Sequence, residues 1–317
     1  MFCLQTTPHY VRGGGAGMSK PVCVGFSEIG AVPSGILQYH YPHVKNYGDA
    51  TGIVCDALPD FDFLCAGFPC QSWSIAGKRQ GFDDARGTLF FEIARSLSHK
   101  RPRPFLLENV KGLLSSDSGK SFAEILRILS ELNYRVETVV INSKHFGVPQ
   151  NRERVFFVGH LAGQCSGEIL SFGESDTDLV GSGGQRHDTA HTITNADKAR
   201  GSYDVASSSI GEDVSYAIDS NYHKGTADWG NTVTATPSIE MAVTDYQRIR
   251  RLTPVECARL QGFADDHAKC GRFQNKQGEW HVREISDTGQ YQCYGNAVAV
   301  NVIAAIIRRM LEKGCLE

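Results

Sequence analysis

The stretch Asp62–Cys70, which reads DFLCAGFPC, decides the fold of this chain. It is a short apolar run of strand-forming residues that ends at a proline-containing turn. A second apolar run, Phe105–Leu107, ends directly at Glu108. Between the two runs, apolar residues recur at helical spacing, at Leu89, Phe90, Ile93, Ala94 and Leu97. A strand, a helix and a second strand in this order are typical of a parallel β-α-β unit.

The same alternation continues on both sides of this unit. Pro21–Ser27 precedes it as an apolar run, and Tyr134–Ile141 and Val155–Gly159 follow it as two β-rich runs. A further helical stripe comprises Phe122, Ile125, Leu126, Leu129 and Leu132. The pattern therefore predicts an α/β fold with a doubly wound, mostly parallel sheet.

The composition is that of an ordinary globular protein. The chain has 317 residues, of which 41% are hydrophobic and 21% charged, and its formal net charge is -3. We found no apolar run of the roughly 20 residues that a membrane helix needs, and no stretch of signal-peptide type at the start. The ten cysteines are scattered without close pairs, so the spacing predicts neither a disulfide framework nor a metal site. These features predict a cytoplasmic protein that binds no membrane and no metal.

Polar residues follow several of the predicted strands. Glu28, Cys70 and Glu108 each come after an apolar run, and Asp49 lies in a turn after another short segment. Ligands of doubly wound sheets collect at the carboxyl ends of the strands, so these residues are candidates for one site. Cys70 is the candidate nucleophile, because a cysteine at such a corner can be exposed and activated. A phosphatase loop is disfavoured because Ala76 stands where its arginine belongs, and no histidine is indicated for a cysteine protease.

A cysteine paired with a carboxylic acid suits addition to an electron-poor ring, where the acid assists at a ring nitrogen. The motifs around Cys70 and Glu108 resemble those of the DNA (cytosine-5) methyltransferase family. The matching stretches follow the family's order, and they are Gly67–Ser74, Ala76–Phe91, Glu108–Val110, Gln150–Arg154, Arg251–Phe263 and Tyr294–Val298.

The resemblance implies roles for individual residues. Cys70 would attack C6 of a flipped cytosine, Glu108 would engage N3 and the exocyclic amine, and Arg154 would meet the cytosine O2. Arg152 would help to hold the site and the DNA. The methyl donor would be S-adenosyl-L-methionine. Its binding residues would be Glu28, at the ribose hydroxyls, Asp49, at the adenine amine, Pro69, and Asn296, near the methionine end.

The resemblance also has a gap. The family begins with a strand and a glycine turn that packs on the cofactor, and neither is found before Val22–Glu28. Gly13–Gly17 is rich in glycine, but no apolar strand precedes it, so we interpret it as a linker. We therefore expect weak cofactor binding and low stability or activity of the chain alone. A separate chain that supplies the missing motif is a predicted partner, as is a cognate restriction endonuclease.

The composition changes along the chain and suggests its domains. Gly, Ser, Thr, Asn and Asp make up about half of 171–245, and the region 161–245 resembles in position a target recognition domain. The predicted division is an extension at 1–20, a catalytic and cofactor-binding domain at 21–160, a recognition region at 161–285, and a returning segment at 286–317. The predicted function is methylation of cytosine C5 in double-stranded DNA. A catalytically impaired DNA-binding relative and an RNA cytosine methyltransferase remain alternatives.

Overall fold

The computed structural model describes residues 5–7, 22–69, 89–161, 165, 167–170, 242–245 and 248–316. The predicted features that fall elsewhere lie outside the described residues, namely Gly13–Gly17, Cys70 with the loop 71–87, and most of 161–245. The chain divides into two compact units. The first unit comprises 1–141, 153–171 and 306–317, and the second comprises 142–152 and 172–305. The predicted domain boundaries stay a prediction.

The first unit contains a five-stranded sheet with the order β1-β2-β3-β5-β4. Its strands are β1 (Gln5–Thr7), β2 (Phe63–Gly67), β3 (Pro104–Val110), β4 (Tyr134–Asn142) and β5 (Glu153–Leu161). The pair β2–β3 is parallel, whereas β1 is antiparallel to β2 and β5 is antiparallel to β3. The sheet is therefore mixed, and the predicted α/β class is confirmed.

Both faces of the central strands are buried. On one face, alternate residues such as Leu64, Phe105 and Phe157 join a core cluster with apolar residues of the neighbouring helices. The residues between them, such as Leu106 and Phe156, are equally buried. Strands that are apolar on both faces belong to a sheet with cover on each side, which explains their nearly continuous hydrophobic runs.

The helices agree with the predicted apolar stripes. Their bounds are α1 (Ala31–His40), α2 (Leu89–Lys100), α3 (Lys120–Glu131), α4 (Pro254–Leu260), α5 (Asp287–Asn296) and α6 (Val300–Glu312). Short 3₁₀ helices span Ala50–Gly52, Cys55–Ala57, Lys111–Leu114, Ser116–Gly119 and Ser143–Phe146. No helix in the described part of the chain is long and apolar enough to cross a membrane.

Two sequence-based expectations about strands are wrong. Pro21–Ser27 forms no strand where it is described, and contributes only an isolated parallel bridge between Phe26 and Asn46. Glu108 does not follow β3 but lies within it, because pairing with β5 extends that strand to Val110. In addition, Gln5–Thr7, within the segment 1–20 predicted to be an N-terminal extension or linker, pairs with Phe63–Cys65. An open strand edge is an unsatisfied hydrogen-bonding surface, and β1 covers part of it.

The described part of the second unit is built from two hairpins and helical segments. β6 (Ala242–Asp245) pairs with β7 (Arg248–Arg251), and β8 (Cys270–Gln274) pairs with β9 (Trp280–Glu284). Helix α4 begins with the predicted capping box: the Thr253 hydroxyl accepts from the Glu256 N–H, and the Glu256 carboxylate accepts from the Thr253 N–H.

Candidate active site

The centre of the first unit's candidate site is an ion pair between Glu108 and Arg154. The Arg154 Nε lies 3.0 Å from the Glu108 Oε1. The two side chains are 17% and 20% exposed, so the pair lies near the surface and is mostly shielded from water. Strand pairing brings them together, because Val110 lies opposite Arg154 and Glu108 lies two residues earlier on β3. Burial lowers the pKa of the Arg154 guanidinium, and the Glu108 carboxylate opposes that shift.

The chain that leads to Cys70 passes directly beside this pair. Gly67, the last residue of β2, lies opposite Glu108 in the parallel register. A Cβ at Gly67 would come within 3.3 Å of the Glu108 Oε2, so glycine leaves room for the carboxylate. Pro69 follows as an exposed residue, and Cys70 itself lies outside the described residues. Strand β2 thus ends next to the ion pair, and the chain continues from there through Pro69.

A second thiol in this area has the wrong chemistry for a nucleophile. Cys65, on β2, is half-buried. Burial, and next the negative charge of Glu108, raise the pKa of its thiol to about 12. A thiol with this pKa stays protonated at neutral pH, and the thiolate is the nucleophilic form. Cys65 is therefore not a candidate nucleophile, and its replacement provides a control for the replacement of Cys70.

Glu28 forms a second cluster in the same unit. Its side chain is buried, with 3% exposed, and its Oε1 accepts a 2.6 Å hydrogen bond from the Gly30 N–H. Its Oε2 is buried without a hydrogen-bond partner among the described residues. Desolvation raises the pKa of the Glu28 carboxyl, although the Gly30 hydrogen bond opposes the shift. A buried carboxylate oxygen with no partner is costly unless a ligand supplies donors.

Asp49 is held close to Glu28 along a chain of hydrogen bonds. The Asn46 Oδ1 accepts from the Glu28 N–H at 3.1 Å and from the Gly48 N–H at 2.9 Å. Asn46 also donates to the Glu28 carbonyl at 3.0 Å. The exposed Asp49 accepts from the Thr51 N–H, and this bond lowers the pKa of its carboxyl, so that the group is ionised at neutral pH.

The second unit holds the remaining predicted residues. Arg152 is buried, and its Nη2 donates to the carbonyls of Gly295 and Ala297 at 3.0 Å each. Asn296, between these two residues, is the exposed last residue of α5. Arg152 thus fixes the backbone on both sides of Asn296, because its guanidinium donates hydrogen bonds to carbonyl groups of the protein itself.

The predicted site residues therefore fall into three described groups. Glu108 lies with Arg154, Glu28 lies with Asp49, and Arg152 lies with Asn296. Two contributors were missed from the sequence, Asn46 and Gly67. An asparagine two residues before a glycine is a known signal for a side chain that folds back onto the backbone, and Gly48 has a left-handed φ of 69°. No group of three or more potential metal ligands occurs among the residues that the structure describes.

Comparison with known proteins identifies the family. The model of the C-5 cytosine-specific DNA methylase family matches residues 13–312. The chain is 37% identical over 300 residues to the type II methyltransferase M.HpaII of Haemophilus parainfluenzae, covering 84% of this chain and 77% of that protein. It is 34% identical over 305 residues to M.NlaX of Neisseria lactamica, covering 91% and 88%. Against M1.ScrFI of Lactococcus lactis subsp. cremoris the identity is 36% over 289 residues, covering 84% of this chain and 66% of the relative.

Solved structures agree at the level of the fold. The S. pombe Dnmt2 methyltransferase superposes with a TM-score of 0.60 at 17% identity and covers 92% of this chain and 91% of its own. The Entamoeba histolytica methyltransferase EhMeth gives 0.55 at 16% identity and covers 96% and 93%. The predicted fold and the predicted enzyme class, a DNA cytosine-5 methyltransferase, are thus confirmed. The chain belongs to the family of C-5 cytosine-specific DNA methylases.

Proposed function

We propose that this chain methylates C5 of a cytosine in double-stranded DNA, with Cys70 as nucleophile and Glu108 and Arg154 as the groups that bind the reacting ring. The observation that carries the assignment is the ion pair at 3.0 Å, placed opposite Gly67 at the end of the strand that leads to Cys70. The target base must leave the helix to reach these groups. The type II methyltransferases among the relatives favour a restriction–modification setting.

Cys70 begins the reaction by forming a bond between its sulfur and C6 of the cytosine. The ring electrons move towards C5, which becomes nucleophilic, while negative charge develops across N3 and O2. After methylation, a water molecule takes the C5 proton as a base, the electrons of the C5–H bond form the C5–C6 double bond, and the C6–S bond breaks to release the thiolate. A thiolate is required at the first step, so Cys70 must be activated in a way that Cys65 is not.

Glu108 and Arg154 stabilise the ring during this addition. A carboxyl group beside N3 and the exocyclic amine assists by hydrogen bonding and proton transfer. A guanidinium beside O2 stabilises the negative charge that develops there. The ion pair orients both groups before the base arrives, and its partial burial strengthens their electrostatic effect.

The described residues fit a nucleoside-containing cofactor. The buried Glu28 Oε2, which has no partner among the described residues, suits the hydroxyl donors of a ribose. Asp49, which follows Gly48 in the turn that Asn46 connects to Glu28, is ionised and exposed, and suits an amine donor. We assign these residues to S-adenosyl-L-methionine, together with Pro69, and Asn296 of the second unit stays a prediction from the family resemblance. When bound, S-adenosyl-L-methionine supplies an electrophilic methyl group.

The test uses a mixed-sequence DNA duplex in which 5-fluorodeoxycytidine replaces every deoxycytidine. The chain is incubated with this duplex and S-adenosyl-L-methionine. Fluorine at C5 cannot leave as a proton, so the covalent complex should accumulate and remain visible on a denaturing gel. We expect the parent chain and Cys65→Ala to form it, and Cys70→Ala to form none. Glu108→Gln and Arg154→Ala should slow its formation by about 10²-fold, the scale of lost acid–base or electrostatic assistance.

An equal yield of complex with Cys70→Ala would refute the assignment of the nucleophile. Parent-like rates for both Glu108→Gln and Arg154→Ala would place the reacting ring elsewhere. If the same complex formed only on RNA, the assignment of DNA as the substrate would be wrong, but the assignment of Cys70 as the nucleophile would remain supported.

A further inference from the structure

The second unit carries a hairpin whose charge differs from that of the rest of the chain. We call residues 269–284, which comprise β8, β9, their connecting turn and the preceding Lys269, the basic hairpin. It contains four cationic residues, Lys269, Arg272, Lys276 and Arg283, and two acidic ones, Glu279 and Glu284. Its formal charge is therefore +2, whereas that of the whole chain is -3. A local excess of this sign favours an anionic partner.

One face of the basic hairpin presents aromatic and apolar groups to solvent next to an arginine. In the antiparallel register, Arg272 lies opposite Val282, and Gln274 lies opposite Trp280. Trp280 is 44% exposed and Val282 is 55% exposed. The Arg272 guanidinium lies 4.8 Å from the centroid of the Trp280 ring. A cation–π contact of this kind restricts the guanidinium, whose planar fork suits paired hydrogen bonds to a phosphate.

The turn of the basic hairpin is held rigidly by one side chain. The Asn275 Oδ1 accepts from the N–H groups of Gln277 and Glu279 at 3.0 and 2.9 Å. Its Nδ2 donates to the Glu279 Oε2 at 2.9 Å. The negative charge of Glu279 is thereby directed onto Asn275, and Lys276 is presented at the tip. A preorganised tip loses little conformational entropy when it binds.

The base of the basic hairpin is fixed to the core of the second unit. The Ile285 N–H donates to the Lys269 carbonyl at 2.8 Å. The adjacent Ala268 N–H donates to the buried Tyr294 hydroxyl of α5 at 3.1 Å. At the start of β8, Gly271 is buried under the Phe273 ring. The half-buried Arg272 and the exposed Lys276 therefore lie on a hairpin whose base is hydrogen-bonded to the rest of the second unit.

We propose that the basic hairpin binds the sugar–phosphate backbone of the duplex substrate through Arg272 and Lys276. This inference rests on the proposed function, which makes DNA the substrate. A regular row of phosphates matches the excess positive charge and the planar guanidinium that lies over the Trp280 ring. Backbone contacts position a protein on DNA but carry no direct sequence information. The basic hairpin therefore adds affinity for every DNA sequence alike, and base selection comes from other residues.

The test compares the full-length parent with the double variant Arg272→Ala, Lys276→Ala in equilibrium binding to a mixed-sequence, unmodified DNA duplex over a range of salt concentrations. We expect the variant to bind on the order of 10-fold more weakly, and the plot of log affinity against log salt to become shallower by about 2, since each lost phosphate contact removes roughly one released counterion. Arg127→Ala is the charge control, because Arg127 already pairs with Glu124 and Glu131 on α3. It should leave both quantities at parent values.

A conservative variant separates charge from geometry. Arg272→Lys should keep the salt dependence of the parent and still bind more weakly, because a lysine lacks the planar fork. Each variant should melt at the same temperature as the parent, which shows that its fold is intact. The single variant Lys276→Ala, at the exposed tip, tests the contribution of the lysine without any change at Arg272.

Three results would overturn the proposal: no DNA binding by the parent, parent-like affinity and salt dependence in the double variant, or a loss confined to one DNA sequence. The last result would mean that the basic hairpin reads bases, and the second would favour an acidic protein as its partner. The two proposals are tested by different measurements. If the proposed function is wrong, no covalent complex forms on fluorinated DNA, whereas reversible binding to ordinary DNA is measured without that reaction.

Discussion

Glu28 is a residue at which, in our proposal, folding stability is reduced and cofactor binding is gained. Its buried carboxyl has a pKa above the ordinary value of 4.5, so ionisation opposes folding. The parent should therefore lose part of its unfolding free energy as the pH rises from about 4.5 through the higher, folded-state pKa. Glu28→Gln keeps the acceptor for the Gly30 N–H and removes the buried charge. We expect this variant to gain stability relative to the parent over that pH interval, measured by urea unfolding at a series of pH values.

The same substitution should weaken S-adenosyl-L-methionine binding by about 10- to 10²-fold, the cost of one hydrogen bond to a charged acceptor, measured by titration calorimetry.

Asp49→Asn is the matched control for the pH dependence of stability, because the pKa of Asp49 is lowered by its hydrogen bond from Thr51. Its contribution to stability is present above the ordinary value of 3.8 and is lost at lower pH, so the two variants should show opposite pH trends. Identical trends would contradict the assignment of Glu28 as a desolvated carboxylate.

At the scale of single elements, local signals predict the start of α4 well. Thr253, Pro254 and Glu256 specify the cap without help from distant residues, and the structure contains both hydrogen bonds of the capping box. Thr253→Ala leaves the Glu256 N–H without its acceptor and should cost about 1 kcal/mol of unfolding free energy. Thr253→Ser retains the hydroxyl and should cost much less in the same urea unfolding experiment. Equal losses for both variants would show that the methyl group, and not the cap, is responsible.

Other elements depend on partners that are remote in the chain. Pro21–Ser27 has a strand-like composition, yet in its described part only Phe26 forms a β-bridge, because ladder hydrogen bonds come from a neighbouring strand. Conversely, β3 and β5 exceed their apolar runs because they pair with each other over Pro104–Val110. The Cys165–Cys315 disulfide, with 4.8 Å between the Cα atoms, is another such contact that no local spacing predicts.

On the scale of the whole molecule, the region 161–245 separates the two blocks of methyltransferase motifs, and we propose that it selects the DNA target. Exchange of this region for that of a family member with a different target should change which cytosines are methylated. Bisulfite sequencing of DNA from cells that express the chimera provides the measurement. The parent region reinserted at the same junctions is the control. If the chimera keeps the parent's target, recognition must come from the rest of the chain.

The sequence by itself determined the α/β class, the helices α2 and α3, the capped start of α4 and the family. Each of these depends on residues that are close in the chain or on motifs that can be compared directly. The tertiary structure alone decided that Glu108 and Arg154 form an ion pair beside Gly67, that Asn46 connects the segments of Glu28 and Asp49, and that Arg152 holds the backbone around Asn296. These contacts arise from strand order, register and turn geometry, and hydrophobic periodicity specifies which face of an element is buried but not which distant element packs against it.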